Sequence, residues 1–379
     1  MTGPRPAVRA AAAFRILTLA MGAVLFLTWA WPLRERALAG RNDFLQLYAG
    51  ARLVGTPELY SIEASKRIHR EVTGTWYPSV YYTRLPFYAL MLKPLAWLPY
   101  TAAYWTFQAI SVSFFLLFLW LYGRAWPDLA LLVSLSVPVL INFINGQDAG
   151  IVTALAGLAL VLVRRGRDFP AGLLLALCAI KIHLFVLVPV ALLLHRRWRI
   201  LQGGLAGGAL LLAASFLAAG VDWPLRFLAM VGNPELHPGP DHTPTLRGLV
   251  WVLAGENAAL EAALAAMVVA LFVHRASRIR DFEVVFALSL VAGLLVCHHA
   301  YVQDCTVLVL AAALVATARV SKLLLGLMIV ATLPPAYFLL FHGAPYNAAV
   351  PLLLGSILVA ASGAAHDRPD RAPAGLPAP

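Results

Sequence analysis

The stretch 164–199, RRGRDFPAGLLLALCAIKIHLFVLVPVALLLHRRWR, decides the fold. Its apolar part, 170–194, is long enough to cross a bilayer once, yet basic clusters flank both ends and Lys181 and His183 stand in its middle. Because cytoplasmic loops carry an excess of Lys and Arg, both ends belong on the same side. The pattern predicts a hairpin of two half-helices of about 12 residues and about 18 Å each, with Lys181 and His183 at its tip. The alternative is a single tilted span in which Lys181 is buried.

The composition indicates a membrane protein. Of the 379 residues, 61% are hydrophobic and only 12% are charged, and the mean hydropathy is +0.79. Soluble proteins carry about 25% charged residues, and backbone exposed to lipid must satisfy its own hydrogen bonds, which favours helices. The predicted fold class is an all-α polytopic membrane protein with about 10–12 transmembrane helices. Besides the hairpin, the predicted spans are 13–31, 101–123, 127–143, 149–163, 201–220, 250–273, 282–297, 301–318, 323–341 and 346–363.

The basic residues follow the positive-inside rule. The net charge is +11, and 17 of the 29 Lys and Arg residues fall in the termini and in the short loops at one end of the predicted spans. This distribution argues against nucleic acid as a partner and places both termini in the cytoplasm. Residues 1–363 are predicted to form one integral-membrane domain, with a long outside loop, 34–100, that contains an amphipathic surface helix at 59–72. The Pro- and Ala-rich tail 364–379 is predicted to be disordered.

A carboxylate stands shortly after the first span, in the stretch RNDFLQLY at 41–48. Asp43 lies at the start of a predicted helix beside the membrane, where it can reach a polar substrate at the lipid surface and accept a proton from it. The alternative is that Asp43 caps this helix, with Asn42 as its neighbour.

The remaining polar residues of the apolar region gather at the predicted outer side. They are Arg84, Asp148, Lys181, His183, Asp241, Arg247, His298, His299 and Asp304. Charged groups are costly near a bilayer, so their concentration predicts a functional site. Each also has a structural alternative: Asp148 caps the helix after Gly146, Asp304 pairs with Arg247 or with a histidine, and His298 and His299 are interfacial.

The sequence lacks the motifs of several well-known kinds of catalytic and nucleotide-binding site. It has no HExxH zinc motif, phosphate-binding loop, Gly-rich nucleotide fingerprint or nucleophile elbow. The three cysteines, Cys178, Cys297 and Cys305, have no metal-ligand spacing. We expect them to be packing residues, although Cys297 and Cys305 could come close near the outer side.

Eight short motifs follow one another along the chain. They are NDFxxxYxGA (42–51), GxxxLY (55–60), YYxRLPF (81–87), KPLAxLP (93–99), AxW (103–105), NGQ (145–147), AIKIH (179–183) and TLRG (245–248). In this order and spacing the series resembles glycosyltransferase family 87. One departure is YTRLP at 82–86, where the family often has a Tyr-Pro-Pro type sequence, and it bears on the local donor contacts more than on the fold.

The resemblance implies a GT-C fold and an enzyme that moves a sugar from a polyprenyl-phosphate donor with inversion of the anomeric centre. The sugar is typically mannose or a related hexose or pentose, and the acceptor is a lipid or a cell-envelope glycan. The reaction takes place on the non-cytoplasmic face of the bacterial inner membrane. The chemistry of the residues agrees with this implication, because the carboxylate of Asp43 can act as a general base and cationic side chains can bind the donor phosphate. The residues expected to bind the donor phosphate are Lys181, His183, Arg247 and Arg84. Other possible substrate-binding residues are Tyr48, Tyr82, Gln147, Asp148, His298, His299 and Asp304.

The partners expected from this interpretation are the lipid-linked donor, the acceptor and the membrane lipids. No cofactor and no metal is expected, because cations can hold the phosphate leaving group. A polytopic transporter or lipid flippase is the rival interpretation, because broken helices with charges are common there. Transporters usually contain an internal repeat, and none is convincing in this sequence.

Overall fold

The computed structural model describes residues 6–236 and 239–361, and within these ranges every regular element is a helix. His237 and the tail 364–379 lie outside the described residues. The α-helices are α1 (Pro6–Leu25), α2 (Arg34–Leu38), α3 (Phe44–Leu53), α4 (Ile62–Thr73), α5 (Pro86–Leu92), α6 (Tyr100–Gly123), α7 (Leu129–Leu135), α8 (Val137–Ile144), α9 (Ala149–Arg164), α10 (Asp168–Ala176), α11 (Val188–Leu194), α12 (Trp198–Ala219), α13 (Trp223–Val231), α14 (Leu246–Ala254), α15 (Ala258–Ala276), α16 (Phe282–Val296), α17 (Val307–Thr317), α18 (Lys322–Val330), α19 (Pro334–Phe341) and α20 (Ala349–Ala360). Shorter 3-10 or π turns lie at Phe26–Ala30, Trp31–Leu33, Lys93–Trp97, Leu177–Leu184, Pro234–Leu236, Pro240–His242, Val302–Thr306 and Tyr346–Ala348.

The predicted class, an all-α polytopic membrane protein, is confirmed, but long unbroken spans are fewer than predicted. In the described part of the chain, four helices are long and apolar enough to cross a membrane, and they cover Arg15–Leu38, Tyr100–Gly123, Trp198–Ala219 and Ala258–Ala276. The bent pair α18 and α19, at 47°, makes a fifth if it is one span. The expected 10–12 spans are therefore not all unbroken helices.

Local breaks explain the difference. The predicted span 127–143 divides into α7 and α8 at Ser136, whose ψ of 109° is extended. Pro138 lies in the first turn of α8, where proline is tolerated, but it cannot continue a helix from the preceding turn. The predicted span 250–273 is likewise interrupted at Gly255, which has a φ of +66°.

The centre of the bundle consists of short helices buried on all sides. In α16 every residue from Phe282 to Leu295 except Glu283 is buried, and α17 is buried from Val307 to Val315. A helix that is apolar all round must be enclosed by protein or by lipid. Here other helices enclose these two, and so they do not need the length of a lipid-facing span.

The hairpin predicted at 170–194 is present. Helices α10 and α11 are joined through the turn Leu177–Leu184, in which Lys181 leaves the helical conformation at φ −127° and ψ 59°. The two ends of the hairpin lie side by side, since Arg197 Nη1 is 3.9 Å from Asp168 Oδ2. A single tilted span would separate these two residues by the thickness of the bilayer, and that alternative is therefore excluded.

The loops between helices divide into two ends of the bundle. At one end Arg164 pairs with Glu283 at 2.5 Å, and its guanidinium also lies over the Tyr122 ring, beside the end of α6. The loops gathered there are 124–128, 164–168, 195–199 and 275–283, and we call them the basic end. Helix α9 has 16 residues and is about 24 Å long. It starts directly after Asp148 and ends at Arg164, so it separates the basic end from the cluster described below.

The predicted surface helix at 59–72 is observed as α4. Ser61 caps it by accepting a hydrogen bond from the Ala64 amide at 3.2 Å, and Gly74 ends it with a φ of +77°. Its buried face includes His69, which stacks on Tyr81 with ring planes 5° apart. This helix packs on α3 and thereby supports the segment that carries Asp43.

Candidate functional site

The side chain of Asn42, and not that of Asp43, caps α3. Asn42 Oδ1 accepts a hydrogen bond from the Phe44 amide at 3.1 Å, and its Nδ2 donates to the Ile144 carbonyl at 2.8 Å. Gly146 permits this approach, because a Cβ at that position would lie 2.9 Å from Asn42 Oδ1. Asp43 occupies the N-cap position but makes no side-chain hydrogen bond to the helix, so the alternative in which it acts as the cap is wrong.

Asp43 is held instead by the turn between α8 and α9. Its amide donates to the Asn145 carbonyl at 3.1 Å, and its Oδ2 accepts from Gln147 Nε2 at 2.7 Å. Burial raises the pKa of Asp43, while the Gln147 hydrogen bond and the charge of Lys181 oppose that rise. A carboxylate of raised pKa that is oriented by a neutral donor is suited to accept a proton.

The amide of Gln147 connects Asp43 to two cations. Gln147 Oε1 lies 3.1 Å from Lys181 Nζ and 3.4 Å from Arg84 Nη2. Because an ammonium and a guanidinium can only donate, the atom between them must be the amide oxygen. The amide nitrogen is consequently the atom that faces Asp43.

Lys181 lies at the centre of a buried ion-pair cluster. Its Nζ is 2.7 Å from Asp304 Oδ1 and 3.1 Å from Asp148 Oδ1, and the residue is only 2% exposed. Arg84 approaches both oxygens of Asp148, with Nε at 3.3 Å and Nη2 at 3.4 Å. Burial alone would raise the pKa of Asp148, but Arg84 and Lys181 lower it.

Two structural alternatives from the sequence are corrected by these contacts. Asp148 precedes α9 but makes no side-chain capping bond, because both of its oxygens face Arg84 and Lys181. Asp304 pairs with Lys181 rather than with Arg247 or a histidine, and its other oxygen accepts from the Tyr301 amide at 2.8 Å. Both pairings join segments far apart in the chain, which local patterns do not reveal.

Several polar atoms near this cluster are buried and have no hydrogen-bond partner among the described residues, and three of them are relevant to ligand binding. They are Arg247 Nη1, His183 Nε2 and Tyr301 Oη. Tyr301 lies within electrostatic range of Asp304, Arg247 and Asp43, and His183 within that of Asp304. All three atoms can donate a hydrogen bond in a suitable protonation state, and buried donors without partners are unfavourable unless a ligand or water satisfies them.

Some predicted site residues lie apart from the cluster. The Tyr48 hydroxyl donates to the Leu98 carbonyl at 3.0 Å, and the Tyr82 hydroxyl donates to the Leu85 carbonyl at 2.8 Å. His298 contacts Glu261 Oε1 through Nδ1 at 2.8 Å. In these positions the three side chains have structural contacts and no contact with Asp43.

Tyr301 is a residue near this cluster that the sequence analysis did not single out. It is half-buried, its ring packs edge-on against His299 at 4.9 Å, and its backbone amide orients Asp304. The available signal was its position two residues after His299 and three residues before Asp304. A tyrosine at a membrane interface is so common that this signal has little weight.

The three cysteines and the carboxylates do not form a metal site in the described ranges. Cys178, Cys297 and Cys305 are buried free thiols. Within 6–236 and 239–361, no group of three or more His, Cys, Asp or Glu side chains is arranged to hold a metal ion.

Comparison with known families finds that the model for glycosyltransferase family 87 matches residues 82–298, more than half of the chain. This chain belongs to glycosyltransferase family 87. It is accordingly a membrane glycosyltransferase. Comparison with curated proteins and with solved structures finds no match. The family match covers Arg84, Gln147, Lys181 and Arg247, whereas Asp43 and Asp304 lie outside it and are brought to the same cluster by the fold.

Proposed function

We propose that this family 87 enzyme transfers a sugar from a polyprenyl-phosphate donor to a hydroxyl of a lipid or cell-envelope glycan, with Asp43 as the general base. The observation that carries the proposal is the state of Asp43 in the cluster. It is neither a helix cap nor a member of an ion pair of 4.0 Å or less with any described Lys or Arg side chain. A carboxylate that is oriented but not neutralised keeps its basicity.

The charge balance of the cluster supports separate roles for its members. Arg84 and Lys181 are matched by Asp148 and Asp304, so these four residues form a neutral core. Outside this core, Asp43 is an anion without a cation, and Arg247 is a cation without an ion-pair partner among the described side chains. The first suits a base, and the second suits the phosphate of the donor.

We therefore propose that Arg247 and His183 contact the donor phosphate directly, with Tyr301 as a further hydrogen-bond donor. The sequence suggested Lys181 and Arg84 for the same role. Their nitrogens already face carboxylates and Gln147 at 2.7–3.4 Å. Their proposed role is to hold Asp148, Asp304 and Gln147 in place around the reaction centre and to add positive potential for the phosphate.

The proposed reaction has one displacement step. The acceptor hydroxyl gives its proton to Asp43 while its oxygen forms a bond to the anomeric carbon of the sugar. The bond between that carbon and the phosphate oxygen breaks on the opposite side, and the polyprenyl phosphate leaves with the electron pair. The configuration at the anomeric carbon is thereby inverted, and Arg247 stabilises the charge on the leaving phosphate.

The proposed location of this reaction is the non-cytoplasmic face of the bacterial inner membrane. The basic loops gather at one end of the bundle, and Asp43, Gln147 and Lys181 lie at the other end of α9. The positive-inside rule assigns the basic end to the cytoplasm. Cysteine labelling in intact cells tests this orientation, because the exposed residue 298, just after α16, should be modified from outside the cytoplasm and the exposed residue 165 from inside.

The function is tested with purified protein in detergent, a radiolabelled polyprenyl-phosphate-mannose and a lipid extract of bacterial envelopes. Transfer by the wild type, with loss of transfer in Asp43→Asn, is the expected result. Movement of the lipid-linked sugar across a vesicle membrane without any transfer product would favour the flippase interpretation. A comparison of envelope glycans with and without the protein would then identify the missing sugar and its acceptor.

A further inference from the structure

The side-chain amide of Gln147 is fixed from both of its ends. Its oxygen lies between Lys181 Nζ and Arg84 Nη2, and its nitrogen donates to Asp43 Oδ2 at 2.7 Å. The residue is only 5% exposed. A rotated amide would turn its NH₂ group toward two cations and its oxygen toward a carboxylate, so that every one of these contacts would become repulsive.

We propose that Gln147 is the positioning residue of the general base: Lys181 and Arg84 lock its amide, and the amide holds one oxygen of Asp43 so that the other faces the acceptor hydroxyl. This inference rests on the proposed function. Under this proposal the buried ion-pair cluster contributes to the reaction indirectly, because it fixes the orientation of the Gln147 amide, which in turn contacts Asp43. Lys181 and Arg84 then act on Asp43 through Gln147.

The choice of an amide at this position has a physical reason. A Lys or Arg in contact with Asp43 would form an ion pair and lower its basicity, whereas an apolar residue would leave the carboxylate free to rotate. No described residue other than Gln147 donates to the carboxylate of Asp43, and its Oδ1 accepts no hydrogen bond from the described chain. A single neutral donor therefore orients the base and leaves most of its proton affinity intact.

The pH dependence of the reaction is the readout that separates positioning from mere structural support. The charged and titratable groups that face Asp43 are Arg36 of α2, Arg84 of the loop before α5, Lys181 of the hairpin turn and Tyr301 before α17. Removal of the Gln147 hydrogen bond should raise the pKa of Asp43, because that bond lowers it at present. A carboxylate at 147 should raise it further, because two adjacent carboxylates cannot both ionise easily.

Two variants and a control test the proposal by full pH profiles of kcat and KM. Gln147→Met should lower kcat at neutral pH by about 10²-fold, the usual cost of a misplaced catalytic group. The acid limb of its profile, the range in which kcat falls as the pH is lowered, should move to higher pH. The KM for donor should change little. Gln147→Glu should have a low kcat at every pH, because at neutral pH the remaining proton keeps Asp43 from acting as a base and at high pH neither carboxylate can donate a hydrogen bond to the other. The control Gln108→Met removes another amide, which donates to the Phe143 carbonyl at 2.8 Å and does not touch Asp43. It should leave the acid limb in place.

The possible results distinguish this inference from the proposed function. An unchanged acid limb in Gln147→Met, with an increased KM, would show that Gln147 contacts substrate and would overturn the positioning role. If Gln147→Met does not fold, Gln147→Glu decides: recovery of a normal kcat at high pH, where neither carboxylate can donate a hydrogen bond, overturns the positioning role, and a low kcat at every pH in folded protein supports it. Normal turnover in Asp43→Asn would instead overturn the proposed function itself.

Discussion

Replacement of Lys181 by Met should destabilise the protein more than it weakens donor binding. The side chain of Met has a similar length but no charge, so Asp148 and Asp304 would lose contacts of 3.1 and 2.7 Å to Lys181 Nζ. Asp148 would keep Arg84, but Asp304 would be buried without a cation. Removal of one member of a buried ion pair typically costs about 3–5 kcal/mol, because the partner charge remains desolvated.

The measurement is the unfolding midpoint of detergent-purified protein, followed by tryptophan fluorescence, together with the KM for donor. The double variant Lys181→Met, Asp304→Asn removes the unpaired charge and should recover a substantial part of the lost stability, which would be a non-additive effect. Lys66→Met is a matched control on α4, where the ammonium group pairs with Glu63 at the surface, and it should change the midpoint little.

A result that would refute this reasoning is a near-normal midpoint in Lys181→Met combined with a large increase in the KM for donor. Lys181 would then be a direct phosphate ligand, as the sequence suggested, and its pairing with Asp148 and Asp304 would be exchangeable. Equal stability of the single and double variants would also contradict the ion-pair argument.

Three further predictions concern other parts of the site and the hairpin. Asp43→Asn should reduce turnover by about 10²–10⁴-fold without loss of stability. Asn42→Ala should instead lower the unfolding midpoint, because it removes a helix cap worth about 1 kcal/mol. Equal effects of the two variants in paired turnover and unfolding assays would contradict the assignment of Asp43 as base and Asn42 as cap. On acidification, activity should fall before the fold is lost, because the pKa of Asp43 is raised above 3.8 while that of Asp148 is lowered below it. Asp43 therefore becomes protonated first. The stability contributed by Asp148 is lost only when the pH falls through the lowered pKa that Asp148 has in the folded protein. Fluorescence and turnover over one pH series measure both transitions. Gly172→Ala should destabilise the hairpin by about 1–3 kcal/mol, because its Cβ would lie 2.0 Å from the Ile200 carbonyl oxygen. The control is Gly208→Ala on α12, where a Cβ meets nothing within 4 Å, and this variant should unfold like the wild type.

The sequence by itself determined the class of the protein, the hairpin and the region of the candidate site. Each of these follows from a local property: the length of an apolar run, the basic clusters that bound it and the charge that interrupts it. The hairpin at 170–194 could be predicted because both of its flanks carry Arg clusters and Lys181 is too costly in the middle of a single span. The membership of family 87 was likewise visible in short motifs and their order.

The number of unbroken spans and the side-chain pairings within the candidate site were decided only by the tertiary structure. Whether an apolar stretch such as 282–297 must be long depends on whether lipid or other helices surround it, and that is a property of the packed bundle. Asn42 and Asp43 are both good capping residues, and it is the contact with Gln147, 104 positions away, that removes Asp43 from that role. Lys181 meets Asp304 across 123 positions. Such pairings depend on where whole helices pack, because burial makes a charge acceptable only where the fold brings its partner within hydrogen-bond distance.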